Sequence, residues 1–353
     1  MKKKNNIFRI PWNSQSRSSK KLWLDKNENN DSFLKGIHSN IKKKIKLSDI
    51  SAYPDLTETY KNLSKFLKVS KNKIFLTAGS DLAIKSIFET FLSPGNKVLT
   101  TNPTYAMYSI YCKIFRVKNI LLNYQYKKNG PYLDVEKFIL KIKKNRPKLV
   151  CIPNPDSPTG QVISKKNLER IIKIAQKNKG LVLIDEAYYL FYKSSVINFI
   201  DRYKNLILIR SASKAMGIAG LRVGIMISNP NIISQVFMYK PMYEISSIGN
   251  LFIKEIIKVN NYKLIKKSVN RLNEGKIYFI KHLKKNNINY FNSYANFIHV
   301  DFGPSKKKIL SDLQKKIYFR LEEKHKSMKG FSRISLTSKK NFKIIKKIID
   351  KYI

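Results

Sequence analysis

Between Lys73 and Ile184 the chain alternates short apolar runs with segments whose apolar residues recur at helical spacing. KIFLTAG reads as a strand ending in a turn, and Asp81 to Leu92 as a helix stopped by Ser-Pro-Gly. KVLTTNP, VKNILLNY and PKLVCIPNP read as further strands, with helices over Tyr105 to Phe115, VEKFILKIKKN and Lys165 to Lys177. GLVLIDEAY, KNLILIRSAS and AGLRVGIMI complete the series. Nearly continuous apolar runs belong to strands covered on both faces, and their alternation with helices predicts an α/β fold around a mainly parallel sheet. Such a sheet gathers its chemistry at the carboxyl ends of the strands. Five polar groups fall there: Gly79-Ser80-Asp81, Asn102-Pro103-Thr104-Tyr105, Asn154 to Gly160, Asp185 and Lys214.

After about residue 230 the pattern changes to long lysine-rich helices, then to short strands within INYFNSYANFIHVDF and GFSRISLTS around another helix. This predicts a large domain over residues 46–235 and a smaller α+β domain over residues 236–353. The N-terminal segment, residues 1–45, is expected to pack on the smaller domain.

A chain of 353 residues, 43% of them hydrophobic, can bury a full core. The opening MKKKNNIFRIPWN is basic, but polar residues interrupt its apolar ones, so the apolar stretch of a signal peptide is missing. No run reaches the roughly 18 apolar residues that cross a bilayer. Cys112 and Cys151 lie in apolar stretches without a second ligand at metal spacing, so a cytoplasmic chain without disulfides or metal is expected. The formal charge of +47 raises a polyanion as partner, because clustered lysines release counterions at a phosphate backbone. Here the lysines are spread along the chain and form the polar faces of helices such as KNFKIIKKIIDKYI. No nucleic-acid module accompanies them, and a non-enzymatic binder of nucleic acid or anionic surfaces stands only as an alternative from another class.

The candidate chemistry lies in LILIRSASKAMGIAGLRVG, where Ser211, Ser213, Lys214 and Arg222 surround one turn after an apolar strand. A lysine amine becomes a nucleophile when its surroundings lower its pKa or when it is already condensed to an aldehyde. Asp185 closes the apolar strand GLVLID, and a buried carboxylate needs a partner. A protonated pyridine nitrogen would serve, and so would an arginine or a turn that the carboxylate caps. Gly79-Ser80-Asp81 opens a helix, where free N–H groups favour a phosphate; capping by Ser80 or Asp81 is the plainer alternative. Ser211, Ser213 and the always-charged fork of Arg222 would complete a phosphate cup.

Together these residues resemble the fold-type I pyridoxal-phosphate enzymes of the class I/II aminotransferases, and within them the histidinol-phosphate aminotransferase branch. The resemblance covers roughly residues 22 to 340 and rests on LDKNEN (Leu24 to Asn29), AYPD (Ala52 to Asp55), NPTYAMY (Asn102 to Tyr108), NPDSPTGQ (Asn154 to Gln161), DEAY (Asp185 to Tyr188), SASKAMGIAGLRVG (Ser211 to Gly224) and SRIS (Ser332 to Ser335). It implies pyridoxal 5'-phosphate as cofactor, Lys214 as its Schiff-base lysine and Asp185 as the partner of the pyridine nitrogen. Tyr188 would bond the phenolic oxygen and Tyr105 would stack on the ring. Gly79, Ser80, Asp81, Ser211, Ser213 and Arg222 would hold the phosphate. Tyr53 would reach the neighbouring subunit's phosphate, which implies a homodimer. Asn27 and Arg333 would meet the substrate, and Arg320, thirteen residues before Arg333, resembles the second arginine of the phosphate-substrate branch.

Ser157 departs from the pattern: the family usually has Asn there, donating to the phenolic oxygen. A serine donates one hydrogen bond but is shorter and lacks the amide, so among the cofactor-binding residues Ser157 would reach the ring oxygen through water, or Asn154 or Tyr188 would carry more of that bond. The implied reaction moves an amino group from histidinol phosphate, or another amino phosphate or amino acid, to a 2-oxo acid such as 2-oxoglutarate. The rival within the same cofactor cage is a decarboxylase of an O-phospho amino acid, because the Cα bond held perpendicular to the ring is the one that breaks.

Overall fold

The computed structural model describes residues 16–127, 130–323 and 328–353. The N-terminal start examined for a signal peptide, residues 1–13, lies outside them. β1 (Leu22–Trp23) leads into α1 (Leu34–Lys42), α2 (Ser48–Ser51) and α3 (Thr57–Leu67). The alternating part follows as β2 (Ile74–Thr77), α4 (Ser80–Phe91), β3 (Lys97–Asn102), α5 (Ala106–Ile114) and β4 (Lys118–Asn123). An antiparallel pair, β5 (Gln125–Lys127) and β6 (Gly130–Tyr132), precedes α6 (Val135–Asn145). Then come β7 (Leu149–Pro153), α7 (Lys165–Lys177), β8 (Leu181–Asp185), β9 (Leu206–Ser211) and β10 (Gly224–Ser228). Every residue of β2, β7 and β10 is buried, as their unbroken apolar runs predict. Helix α7 buries Leu168, Ile171, Ile172 and Ala175 on one face, and Ser164 caps its start by accepting from Asn167 N.

Seven strands form one sheet in the order β2-β10-β9-β8-β7-β3-β4. All neighbours are parallel except β10, which runs antiparallel to both β2 and β9. A parallel return after β9 would need a crossover, usually a helix, across one face of the sheet. Residues 212–223 hold only the short 3-10 turn Ala219–Leu221, so the chain doubles back. That doubled-back connection carries both Lys214 and Arg222.

Beyond the sheet lie α8 (Pro230–Met238), α9 (Ser247–Ile256) and the long α10 (Val259–Lys285), then β11 (Asn289–Phe291) and β12 (Phe297–Asp301). The chain ends in α11 (Lys306–Lys316), β13 (Ile317–Tyr318), β14 (Arg320–Leu321), β15 (Ser332–Ser335) and α12 (Lys339–Ile349). A second, antiparallel sheet runs β11-β12-β15-β14, and β1 pairs in parallel with β13.

The apolar core divides inside α10 rather than at residue 236. Ile245, Phe252 and Ile253, with Ile265 and Val269 of α10, belong to the cluster that contains Ile184 and Leu208 of the large sheet. Leu272, Phe279 and Leu283 of the same helix pack with Ile298, Val300 and Phe342 around the small sheet. The N-terminal segment is shared in the same way: Leu24 joins the small-sheet core, whereas Leu34, Ile37 and Ile41 of α1 join the large one. Helical spacing shows which face of a helix is buried but not which sheet buries it. Among the described residues no helix is long and apolar enough to cross a membrane. Cys112 and Cys151 are free and buried.

Candidate active site

The carboxyl ends of β2 and β9 and the start of β10 build an anion-binding corner. Gly79, at φ +83°, turns the chain from β2 into α4. A Cβ at Gly79 would run into the Arg222 guanidinium, so the close approach of this arginine requires glycine. No side chain caps α4, which leaves Ser80 and Asp81 at the positive end of a 12-residue helix. Arg222 Nη1 donates to Ser213 Oγ and to the Ala219 carbonyl, both at 3.4 Å. Ser211 Oγ accepts from Ser213 N at 3.1 Å. The structure thus brings Gly79, Ser80, Ser211, Ser213 and Arg222 to one place. The Asp81 carboxylate turns toward Tyr105, accepting from its hydroxyl at 3.4 Å.

Asp185, at the end of β8, is 5% exposed. Its Oδ1 accepts from Ala187 N at 2.9 Å and its Oδ2 from Tyr108 Oη at 3.2 Å. Burial pushes its carboxyl up to about 6, against those two hydrogen bonds and the nearby Lys214 charge. Both alternatives kept open for Asp185 thereby gain definition: it bonds the following turn, and no arginine pairs with it among the described contacts. The Lys214 amine is enclosed and donates to the Lys26 carbonyl at 3.0 Å. Burial lowers it to about 8; the charges of Arg333, Arg222 and Arg320 push the same way and Glu28 opposes them. Its nitrogen lies 5.9 Å from the Tyr188 ring centroid.

Tyr188 accepts from Asn27 Nδ2 at 2.9 Å and packs edge-on to Phe297. Burial pushes its phenol up, while Ser157, the Arg333 charge and Asn27 draw it down. The Asn154 Oδ1 accepts from Ile163 N at 2.8 Å and its Nδ2 donates to the Ile163 carbonyl at 3.2 Å, so its amide braces the loop that carries Ser157. Tyr105 caps no bond of α5 but stands at its start, 38% exposed and edge-on to Tyr108. Tyr53 is outside this cluster, 75% exposed and stacked flat on Tyr243 at 4.0 Å.

From the small sheet, Arg333 enters on β15 only 6% exposed. Its Nη1 lies 3.5 Å from Glu322 Oε1, its guanidinium lies 5.3 Å from the Phe297 ring centroid, and among the described residues its buried Nε has no partner. Arg320 stands directly opposite Arg333 in the β14–β15 register and is exposed. Residues opposite one another in an antiparallel pair share a face, so two cations project together beside the lysine whose pKa both depress.

Several site residues were not assigned from the sequence. Tyr108 supports Asp185; it ends the NPTYAMY motif three residues after Tyr105, a helical spacing that places both on one face. Asp156, buried, accepts from Thr101 at 3.0 Å and Thr104 at 2.8 Å, tying the loop of Ser157 to the turn of Tyr105. Burial pushes its carboxyl up to about 7. Asn296 donates to the Asn27 carbonyl at 2.9 Å, and Ser335 Oγ accepts from Asn27 N at 3.0 Å. No local pattern links these partners, since they lie far apart in the chain.

This arrangement fits pyridoxal phosphate. It supplies an enclosed amine of lowered pKa, a buried carboxylate with no cation bonded to it, and a glycine-opened corner of helix N-terminus, hydroxyls and arginine for a phosphate. Comparison with known proteins agrees. The family description "Aminotransferase class I and II" matches residues 19–349. A histidinol-phosphate aminotransferase of Caldanaerobacter subterraneus subsp. tengcongensis is 34% identical over 322 residues, covering 90% of this chain and 89% of the relative. The histidinol-phosphate aminotransferase of Sinorhizobium meliloti, solved in complex with pyridoxal-5'-phosphate, superposes with a TM-score of 0.79 at 20% identity, over 94% of this chain and 91% of that one. An L-threonine-O-3-phosphate decarboxylase from Porphyromonas gingivalis shares the fold at a TM-score of 0.75 and 18% identity, over 94% of this chain and 99% of that one. The sequence match spans nearly the whole chain, and this protein belongs to the class I and II aminotransferases, pyridoxal-phosphate enzymes of fold type I.

Proposed function

We propose that this enzyme transfers an amino group from an amino phosphate, histidinol phosphate best of all, to a 2-oxo acid such as 2-oxoglutarate. The observation that carries the substrate class is the Arg320–Arg333 pair. Arg333 offers a buried, partly unpartnered fork, suited to one oxyanion of donor or acceptor. Arg320 offers a second, exposed cation on the same face, where a phosphate dianion or a second carboxylate would sit.

When bound, pyridoxal phosphate supplies an aldehyde that captures amines and a cationic ring that accepts the electron pair of a broken Cα bond. Lys214 would hold the group through its amine, and its Nζ would serve as the base that takes the proton from the substrate Cα. An amine with a pKa of about 8 is largely matched to that exchange near neutral pH. Asp185 would lie toward the ring nitrogen and its negative charge would keep that nitrogen protonated. Tyr188, oriented by Asn27, would present its hydroxyl to the phenolic oxygen. Gly79, Ser80, Asp81, Ser211, Ser213 and Arg222 would hold the phosphate, Gly79 by leaving room for Arg222, since its own N–H is bonded to the Thr77 carbonyl, and Ser80 and Asp81 through the helix N-terminus.

The active unit we propose is a homodimer. Ile50 and Tyr53 are 72% and 75% exposed, and Met242 is 81% exposed beside Tyr243, which stacks on Tyr53. An apolar surface of that kind is suited to a second copy, placing Tyr53 toward the partner's phosphate.

Arg333→Lys keeps the charge but loses the fork. It is expected to raise KM for donor and acceptor alike by roughly tenfold to a hundredfold, the worth of a charge-assisted hydrogen bond, with a smaller change in kcat. Steady-state kinetics on both half-reactions checks this, and an unchanged KM for either partner would remove Arg333 from its recognition.

The function itself is tested in single turnover with cofactor-loaded protein. L-Histidinol phosphate has no carboxylate to lose, whereas O-phospho-L-threonine has one. Loss of the cofactor's aldehyde absorbance with histidinol phosphate, and no CO2 from phosphothreonine, is the expected result. CO2 release from phosphothreonine would make the chain a decarboxylase. Silence with both would remove amino phosphates as substrates.

A further inference from the structure

Arg17 precedes β1 and is tied to the segment that crosses Lys214. Its Nη1 donates to Glu28 Oε2 at 2.6 Å and to Asp25 Oδ1 at 3.1 Å, and its Nη2 donates to Glu28 Oε1 at 2.9 Å. Its guanidinium lies over the Trp23 ring, 4.1 Å from the centroid. The three charged side chains are only 14%, 15% and 20% exposed for Arg17, Asp25 and Glu28. A bidentate, stacked, mostly buried arginine is the kind of ion pair that fixes geometry, unlike an exposed one.

What lies between the two clamped acids is the strap. Lys26 contributes the carbonyl that receives Lys214 Nζ, and Asn27 contributes the amide that reaches Tyr188. Asn27 adopts φ +56°, a left-handed conformation that a non-glycine residue holds only when its surroundings enforce it. Ser335 and Asn296 hold Asn27 from one side. Arg17 fixes both neighbours of the Lys26-Asn27 pair from the other.

Glu28 is also an anion close to the lysine. Burial pushes its carboxyl up, but the Arg17 hydrogen bonds and charge outweigh this and hold it below the ordinary range, with Lys214 and Lys26 adding to the effect. The groups acting on Lys214 are Glu28 on the strap, Arg222 on the turn, Arg320 and Arg333 on the small sheet, and Asp185 on β8. Glu28 alone among the first four favours the charged amine.

We propose that Arg17 is a positioning residue for Lys214: by clamping Asp25 and Glu28 it fixes the strap whose Lys26 carbonyl receives the amine, and it keeps Glu28 from acting as a free anion beside it. The role rests on the cofactor-binding reading of Lys214. Without Arg17, Glu28 turns its unneutralised charge on the amine and the strap loosens.

The test uses cofactor-free protein and two readouts. Amide hydrogen exchange over residues 24–28 is expected to quicken at least roughly tenfold in Arg17→Gln, with the amides of the large sheet unchanged. Only the neutral amine adds to an aldehyde, so the rate of pyridoxal phosphate capture, followed by stopped-flow absorbance, should rise with pH through a midpoint near the Lys214 value of about 8. Arg17→Gln is expected to move that midpoint up by about half a unit and Glu28→Gln to move it down. The double variant should return the midpoint toward wild type while keeping the fast exchange. Arg17→Lys, which keeps the charge without the fork, should restore the midpoint better than the exchange protection. Unchanged exchange or an unmoved midpoint in a folded Arg17→Gln protein overturns the proposal. A wild-type protein that captured no pyridoxal phosphate would refute the functional reading instead, and exchange alone would then decide the clamp.

Discussion

Lys214→Ala is expected to lose turnover by roughly 10⁴-fold or more, because it removes both the covalent anchor and the group that moves the Cα proton. The lysine is not one cation among many. Its amine is enclosed, held down to about 8 and bonded only through a backbone carbonyl, leaving it free of any carboxylate partner in the described contacts. Truncation should spare the fold, since the neighbouring Ala212 and Ala215 already provide the apolar packing of the turn. Phosphate-cup residues remain in Lys214→Ala, so the cofactor should still bind, but without a covalent link. Borohydride reduction followed by mass spectrometry distinguishes the two forms: a labelled peptide over residues 211–222 in the wild type and none in the variant. Full turnover by the variant would sink the proposed chemistry.

Asp185→Asn is expected to change catalysis and stability in opposite directions. The amide is isosteric: its oxygen can still accept from Ala187 N, and its Nδ2 can donate to Tyr108 Oη in place of the bond that Tyr108 now donates, so the geometry is kept. What disappears is the negative charge that holds the ring nitrogen protonated, and turnover should fall by roughly 10²- to 10³-fold. Without cofactor the same charge is a burden. The Asp185 carboxyl is raised from its ordinary 3.8 to about 6 in the folded chain. A carboxyl that holds its proton more tightly when folded makes stability fall as pH rises from the unfolded value to the folded one, and the loss persists above it. At pH 7 that loss is about 3 kcal/mol, and the cofactor-free variant should be more stable than wild type by something approaching it. Below about pH 4 the two should converge. Thermal unfolding of the cofactor-free proteins across this range checks the sign; a destabilised variant at pH 7 would show that Asp185 has a partner other than the cofactor.

The sheet and its chemical edge were legible in the sequence because both are written locally. A strand buried on two faces must be apolar along its length, and the turn after it must carry whatever polar groups face the site. That logic singled out Lys214, Asp185 and the Gly79 corner, and the structure places them at the carboxyl ends of β9, β8 and β2. The antiparallel return of β10 was hidden, since AGLRVGIMI has the same apolar character whichever way it runs. The bracing role of the Asn154 amide was hidden too, because an asparagine in a loop motif does not show which backbone groups it bonds; here they are the N–H and carbonyl of Ile163. Division of the core within α10 was equally invisible, as amphipathicity names a face and not the sheet against it. The Arg17–Glu28 and Asn27–Ser335 contacts depend on where distant segments meet, which no spacing encodes.

The helix α10 runs through both cores, and this gives the molecule a lever. Its 27 residues span about 40 Å at the rise of an α-helix. One end is packed on the large sheet with Lys214 and Asp185, and the other carries the small sheet with Arg320 and Arg333. Tilting such a rod by about 5° about one end carries the other through about 3.5 Å, given that length. That travel is the difference between a guanidinium in hydrogen-bonding contact with an oxyanion and one a water layer away. A substrate that drew Arg320 and Arg333 inward would therefore need only a slight pivot of one helix to be gripped.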